Sequence, residues 1–174
     1  LLAPQLRFLH GKKILITGAL GLVGSYLADV LKRCGISHVF GIDNGIAPSR
    51  DKPEFQVLPW DVSGCDLSEM DSYDYIFHCA SIASPKQYKK YPLETVRVNI
   101  EGTKQVLAFA ARTGAVVVHF STSEVYGDPV IIPTPEQYNG NVITMGPRAA
   151  YDESKRVSET LCWLYRQKGV KVRI

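Results

Sequence analysis

Lys12-Lys13-Ile14-Leu15-Ile16-Thr17-Gly18-Ala19-Leu20-Gly21-Leu22-Val23-Gly24 is the stretch that decides the fold of this chain. Its first half, Lys12 to Thr17, is a β-branched and leucine-rich run closed by a glycine, the pattern of a strand buried on both faces of a parallel sheet. Its second half is a glycine turn leading into apolar residues at helical spacing from Leu22 to Cys34, where Gly35 stops the helix. A strand, a glycine turn and a helix in that order form a seat for a dinucleotide pyrophosphate, which rests on the helix N-terminus. Gly18 permits the tight turn, Gly21 lets backbone approach the phosphates, and Gly24 lets the helix pack close to the sheet. Gly18, Gly21, Leu22, Val23 and Gly24 are therefore the residues expected around the phosphates.

A lone glycine triplet is weak evidence, but this one has the right neighbours. Ser37 to Asp43 reads as a second strand, and it ends on an acidic residue about twenty positions beyond the turn, where a carboxylate grips the ribose hydroxyl pair. The same carboxylate would repel the 2′-phosphate of NADP, and the next residues, Asn44 and Gly45, supply no arginine to accept it. NAD is the expected cofactor. Arg50 is the residue that would argue otherwise, and its loop position predicts a solvated side chain.

Further along, Glu54 to Pro59, Tyr73 to Cys79, Ala115 to Ser121 and Val170 to Ile174 read as strands. Amphipathic segments at Leu93 to Thr113 and Pro147 to Lys168 read as helices, stopped by Gly114 and Gly169. Between them, Asp128 to Gly146 carries three prolines and two glycines and reads as a long loop, a class that is usually functional or mobile. Alternating strands and helices with right-handed crossovers predict an α/β fold: a doubly wound parallel (Rossmann) sheet of order 3-2-1-4-5-6 with helices on both faces. Its ligand crevice is expected at the carboxyl ends of the strands.

At that edge stands a second constellation. Tyr151 and Lys155 are four residues apart and project from one helix face, so a lysine ammonium would favour the phenolate and make the tyrosine a base. The structural alternative is a surface tyrosine stacked on a lysine stem. Tyr-x-x-x-Lys recurs by chance, and its weight comes from the context.

Composition narrows the classes. With 174 residues and 45% hydrophobic content, one sizeable core is expected, and a net charge of +3 from scattered lysines and arginines gives no case for nucleic acid or a membrane surface. Lys86, Lys89 and Lys90 read as a solvated loop. Cys34, Cys65, Cys79 and Cys162 lack metal-ligand or disulfide spacing, so no metal site is expected and a reducing cytoplasm is the expected location. No apolar run approaches the ~20 residues of a membrane span.

The Gly-x-x-Gly-x-x-Gly spacing, Ser121-Thr122-Ser123-Glu124-Val125-Tyr126-Gly127 and the Tyr151 to Lys155 segment together resemble the extended short-chain dehydrogenase/reductase family over nearly the whole chain. The resemblance implies that Asp61 and Val62 contact the adenine, that His78-Cys79-Ala80-Ser81 lies beside the cofactor, and that Asn99 belongs to the cofactor site. The alternatives are a helix-interior polar residue for Asn99 and a satisfied strand-end histidine for His78.

Within that family, Thr122 to Gly127 and Gly146 to Arg156 look most like UDP-glucuronate decarboxylases, which act on a nucleotide sugar. A 4,6-dehydratase needs a general acid to expel hydroxide from C6, and that subfamily has an aspartate where this chain has Ser123. An epimerase usually has no carboxylate at the position of Glu124. The resemblance implies that Tyr151 removes the C4 hydroxyl proton and Lys155 supports it. It further implies that Thr122 hydrogen-bonds the C4 oxygen and that Ser123 and Glu124 orient the C5 to C6 region. Strand-end capping is the alternative for Thr122 and Ser123. An epimerase or dehydratase, or an idle NAD-binding domain, remain competing readings.

Residues 1–174 are thus expected to be an NAD-binding domain, with the family's C-terminal substrate domain outside this chain. That predicts NAD binding with little turnover by these residues alone. The resemblance also implies a homodimer through the two long helices, with Leu161, Trp163, Leu164 and Tyr165 offering apolar contact.

Overall fold

The computed structural model describes residues 3–49 and 55–174; Arg50 and the expected strand start at Glu54 lie outside them. Among the described residues six strands, β1 (Ile14–Thr17), β2 (Val39–Ile42), β3 (Val57–Leu58), β4 (Tyr75–His78), β5 (Val116–His119) and β6 (Val172–Arg173), form one sheet. Its order is β3-β2-β1-β4-β5-β6 and every pair is parallel, as the sequence predicts.

β1 lies at the centre, paired to β2 on one side and β4 on the other, and all four of its residues are buried. Side chains alternate across a strand, so Leu15 enters one core and Ile14 and Ile16 the other. Leu15 packs with Ile42, Ile76, Val106, Leu107 and Val117. On the opposite face Ile14 and Ile16 meet Ala28, Leu31, Ile36 and Val39. Burying each such side chain contributes about 1.5–3 kcal/mol. The continuous apolar run in the sequence is the imprint of this two-sided burial.

The described residues form five α-helices, α1 (Leu22–Arg33), α2 (Pro85–Lys90), α3 (Pro92–Arg97), α4 (Thr103–Thr113) and α5 (Ala149–Gln167), of which α1, α4 and α5 pack on the sheet. The sequence predicts one helix over Leu93 to Thr113, whereas α3 and α4 are separated by a π-helical turn, Val98–Gly102. The lysines expected in a loop, Lys86, Lys89 and Lys90, sit on α2, started by Pro85 at its first position. They remain exposed, and the residue that turns inward is Tyr88.

Residues 128–146 form the long connection expected. Its contact with the flanking strand exit is an isolated bridge between Gly127 and Asn141. Arg156 of α5 pins it from below, donating from Nη1 to the Val125 carbonyl at 2.6 Å and the Asn139 carbonyl at 3.4 Å. Among the described residues no helix is long and apolar enough to cross a membrane.

Candidate active site

The turn after β1 is shaped by backbone proximity. Gly18 has φ +70°, and a Cβ on it would lie 2.7 Å from the Ala80 backbone. A Cβ on Gly24 would overlap the Gly18 carbonyl oxygen. Either change forces main chain apart, which explains both glycines without reference to a ligand. Gly21 differs, because a Cβ there would meet the Gly18 oxygen at 3.2 Å and nothing else nearby. Its open side faces the cleft that it lines.

Asp43, at the end of β2, holds this turn. One carboxylate oxygen accepts from the Leu20 amide at 2.9 Å and the other from the Gly45 amide at 2.8 Å. Asn44 accepts from the Ile46 amide at 3.1 Å. After β3, Asp61 accepts from the amide and hydroxyl of Ser63 at 2.9 and 2.6 Å. Burial pushes the Asp61 carboxyl up, but the Ser63 donors, helped by Arg97 and Asn44, outweigh it and hold the pKa below its ordinary value.

Gly18, Gly21, Asp43, Asn44, Asp61, Val62, Cys79, Ala80 and Ser81 line a single cleft at this sheet edge, as expected. Ser81 keeps a buried hydroxyl with no hydrogen-bond partner there, and no side chain caps the start of α1. A glycine cradle, an unspent hydroxyl and a carboxylate at the end of β2 fit a dinucleotide. Trp60 and Arg97 also line the cleft, and the sequence reading passed over both. Trp60 stands next to the Asp61-Val62 pair and could have been found there, whereas Arg97 comes from the distant helix α3 and left no such signal.

Six expected cofactor residues are not part of that lining: Leu22, Val23, Gly24, Asn99, Tyr151 and Lys155. Leu22 and Val23 are exposed on the first turn of α1, outside the cleft lining, because the helix turns its apolar stripe inward only from Gly24 onward. Asn99 is buried in the π-helical turn, where its side-chain Nδ2 donates to the Ser154 hydroxyl at 2.8 Å and its main-chain carbonyl accepts from Ser158 at 2.7 Å, while its Oδ1 is buried with no hydrogen-bond partner. It is a strut between that turn and α5. His78, by contrast, is satisfied on both ring nitrogens, bonded to Thr17 at 2.7 Å and Thr103 at 3.0 Å, and burial lowers its pKa to about 3.

Beside the cleft stands Tyr151, only 7% exposed. Its ring stacks on Tyr88 with centroids 5.2 Å apart and planes 10° from parallel. The pair packs with Ile82, Ile46 and Val98, which themselves line the cleft. Thr122 caps the 3₁₀ turn Ser123–Tyr126, accepting from the Glu124 amide at 3.3 Å, and its hydroxyl is near enough to Tyr151 to lower the pKa of the phenol. Capping and an influence on the phenol thus both belong to one side chain.

The electrostatics of Tyr151 correct the expectation. Burial raises its pKa above the ordinary 10; the Thr122 hydrogen bond lowers it, Asp152 and Tyr88 raise it, and Arg148 lowers it, without cancelling the burial. Lys155 does not supply the expected pull. It is 97% buried, and its ammonium donates to the Phe120 carbonyl at 2.5 Å, the main-chain acceptor at the end of β5. Burial lowers the Lys155 pKa to about 8, against the opposing influence of Cys162, Glu159 and Cys79.

Ser123 is exposed, while the Glu124 carboxylate is ion-paired to Arg148. Arg148 also lies 3.6 Å from Asp152 on the next turn of α5. Asp152 is 7% exposed, and one of its oxygens has no hydrogen-bond partner. Burial raises its pKa, with Arg148 opposing. Arg148 was overlooked as a site residue, although a cation three positions before Tyr151 shares its helix face.

Set against known proteins, residues 14–174 match the model of the NAD dependent epimerase/dehydratase family, and the chain belongs to that family. Its curated relatives include UDP-glucuronic acid decarboxylase 5 of Arabidopsis thaliana, 44% identical over 170 residues that cover 93% of this chain and 49% of the relative. UDP-glucuronic acid decarboxylase 1 of Xenopus tropicalis is 42% identical, covering 98% of this chain and 42% of the relative. A similar solved structure is UDP-glucuronic acid 4-epimerase from Bacillus cereus in complex with UDP-glucuronic acid and NAD. It is 29% identical with a TM-score of 0.75, covering 92% of this chain and 54% of that one. The chain spans about half the length of the curated relatives it matches.

Proposed function

We propose that this chain is the cofactor-binding and catalytic part of an NAD-dependent enzyme that decarboxylates UDP-glucuronate through a 4-keto intermediate. The observation that carries this reading is Tyr151 packed with Ile46, Ile82 and Val98 at the wall of a cleft built for a dinucleotide. Similarity to decarboxylases at 41–44% identity supports the choice of substrate and reaction.

Gly18, Gly21, Asp43, Asn44, Asp61, Val62 and the Cys79 to Ser81 wall would hold NAD, with Ser81 supplying an unspent hydroxyl. NAD bound there supplies a hydride acceptor and, after carbon dioxide has left, a hydride donor. Tyr151 takes the C4 hydroxyl proton, and Thr122, whose hydroxyl favours the ionised phenol, steadies the negative charge that develops there. The C4 ketone is β to the C6 carboxylate, so carbon dioxide departs while the electrons of the broken bond pass into an enolate. No leaving-group proton is required. That suits a site with Ser123 beside a Glu124 already paired to a cation. Lys155, one turn beyond Tyr151, serves as the support for the phenolate once it leaves the Phe120 carbonyl.

Release of carbon dioxide from UDP-glucuronate by the full-length protein tests this reading. Loss of that release in Tyr151→Phe, with NAD binding retained, is the expected result. Interconversion of the C4 epimers with the carboxylate kept would instead make the protein an epimerase. Activity undiminished in Tyr151→Phe would leave an NAD-binding domain with another role.

We further propose that α4 and α5 form a homodimer face. Val157, Trp163 and Leu164 are exposed on α5, whereas Leu161 and Tyr165, expected to contribute, pack against the core instead. Sedimentation of Leu164→Glu against wild type reads this directly; an unchanged dimer would place the interface elsewhere.

A further inference from the structure

The pairing at the start of α5 has a feature that oxidation by Tyr151 does not require. Arg148 lies between two carboxylates, Glu124 on the turn after β5 and Asp152 one turn along its own helix. Glu124 is partly exposed on the 3₁₀ turn that Thr122 caps, and Asp152 is buried. A buried carboxylate normally has every oxygen bonded, yet one oxygen of Asp152 has no hydrogen-bond partner and the other has only the Arg148 contact at 3.6 Å. An anion kept in such a place needs a reason beyond helix stability. Arg148 supplies one, because its planar guanidinium can face two carboxylates at fixed angles, which a flexible ammonium cannot do.

We propose that Arg148 is a positioning residue: anchored by Asp152, it fixes the Glu124 carboxylate next to the Thr122 and Tyr151 pair. The assignment rests on the decarboxylase reading for its substrate and on the geometry alone for the clamp. Held in this way, Glu124 is an acceptor with its charge already matched. It can orient a water or a sugar hydroxyl near C5 and C6, and it is a poor proton donor. A site so built favours a leaving group that departs without a proton, and it disfavours elimination of a C6 hydroxyl. In neutral nucleotide sugars the C6 group is such a hydroxyl, so the clamp directs the site toward a C6 carboxylate.

The test uses the full-length protein with Arg148→Gln, Glu124→Gln, the double variant and Arg148→Lys. Misplacing Glu124 is expected to lower kcat by about 100-fold in Arg148→Gln. KM should stay within about threefold, since the arginine does not itself bind the sugar. The double variant should be no slower than the slower single one, because both changes remove the same arrangement. Arg148→Lys should recover little, and NAD affinity should be unchanged in every variant. A raised KM with kcat intact would overturn the proposal by making Arg148 a direct substrate ligand, and multiplicative losses in the double variant would overturn it by making the two residues independent. If Arg148→Gln does not fold, Asp152→Asn removes the anchor while keeping its shape, and the same kcat loss is required of it. If wild type acts on a different nucleotide sugar, the decarboxylase reading fails. The clamp is then judged by the same kcat and KM split on that sugar.

Discussion

The two ends of the sheet edge are built differently. Around β1 and β2 the site is mostly main chain: glycines that a methyl group would drive into neighbouring backbone, and a carboxylate tied to two amides. Around β5 and α5 it is side chains held by one another, with Lys155 on the Phe120 carbonyl, Glu124 on Arg148 and Tyr151 stacked on Tyr88. The first region is rigid before any ligand arrives. The second must exchange internal partners for substrate and cofactor, so its electrostatics are those of a resting site. The raised pKa of Tyr151 belongs to that resting state.

Changes in the two regions should therefore separate binding from turnover. The largest effect is expected from Tyr151→Phe in the full-length protein, a loss of about 10³-fold in kcat with NAD affinity intact. Equal losses in both would mean that the two regions are not separable. Next comes Gly18→Ala, where a side chain meets both a φ of +70° and the Ala80 backbone. Left-handed strain alone costs about 1–2 kcal/mol, so calorimetry should show weakened NAD binding and a lowered melting temperature. Normal binding would show that the turn is softer than its contacts imply. Asp43→Asn should then lower NAD affinity about tenfold while narrowing the preference over NADP, since a neutral amide neither pairs with the ribose hydroxyls as well nor repels the 2′-phosphate. Titration with both dinucleotides decides it.

A smaller effect lies beneath the catalytic region. His78 and His119 are buried with rings 5.4 Å apart, and burial lowers their pKa values to about 3 and about 2. Unfolded, each titrates near 6.5. Their contribution to stability is complete above that pH and is lost as pH falls below 6.5 toward the folded values. His119→Leu should flatten the acid limb of a denaturation series by about 1.4 kcal/mol per pH unit, one proton's worth. Neither ring nitrogen of His119 has a hydrogen-bond partner, so near neutral pH the change should cost little. An unaltered acid limb would mean that His119 is solvated in the folded state.

The same contrast explains what could be read from the residues in order. The β1 turn, Asp43 and the sheet order were legible because each depends on local rules: alternation, helix stops and the need for glycine in a tight approach. Tyr151 and Thr122 were legible as a spacing and a strand end. Where Lys155 directs its ammonium was not, because the choice between a phenol and the Phe120 carbonyl depends on packing between α5 and β5. The partners of Asn99 were illegible for the same reason. A π-helical turn shifts the phase of a helix, so a periodicity that predicts one continuous helix cannot say that its asparagine faces Ser154. Arg148 and Tyr88 gain their meaning only from contacts across elements.

The chain has two tryptophans, and they stand in separate places: Trp60 lines the cleft, while Trp163 is on the outer surface of α5. Each is an intrinsic fluorophore reporting a different event. Emission from Trp60 should respond to a dinucleotide entering the cleft, and Trp163 should respond to whatever covers α5. A Trp163→Phe protein would leave a single lamp beside the cofactor, lit from within the fold and needing no label.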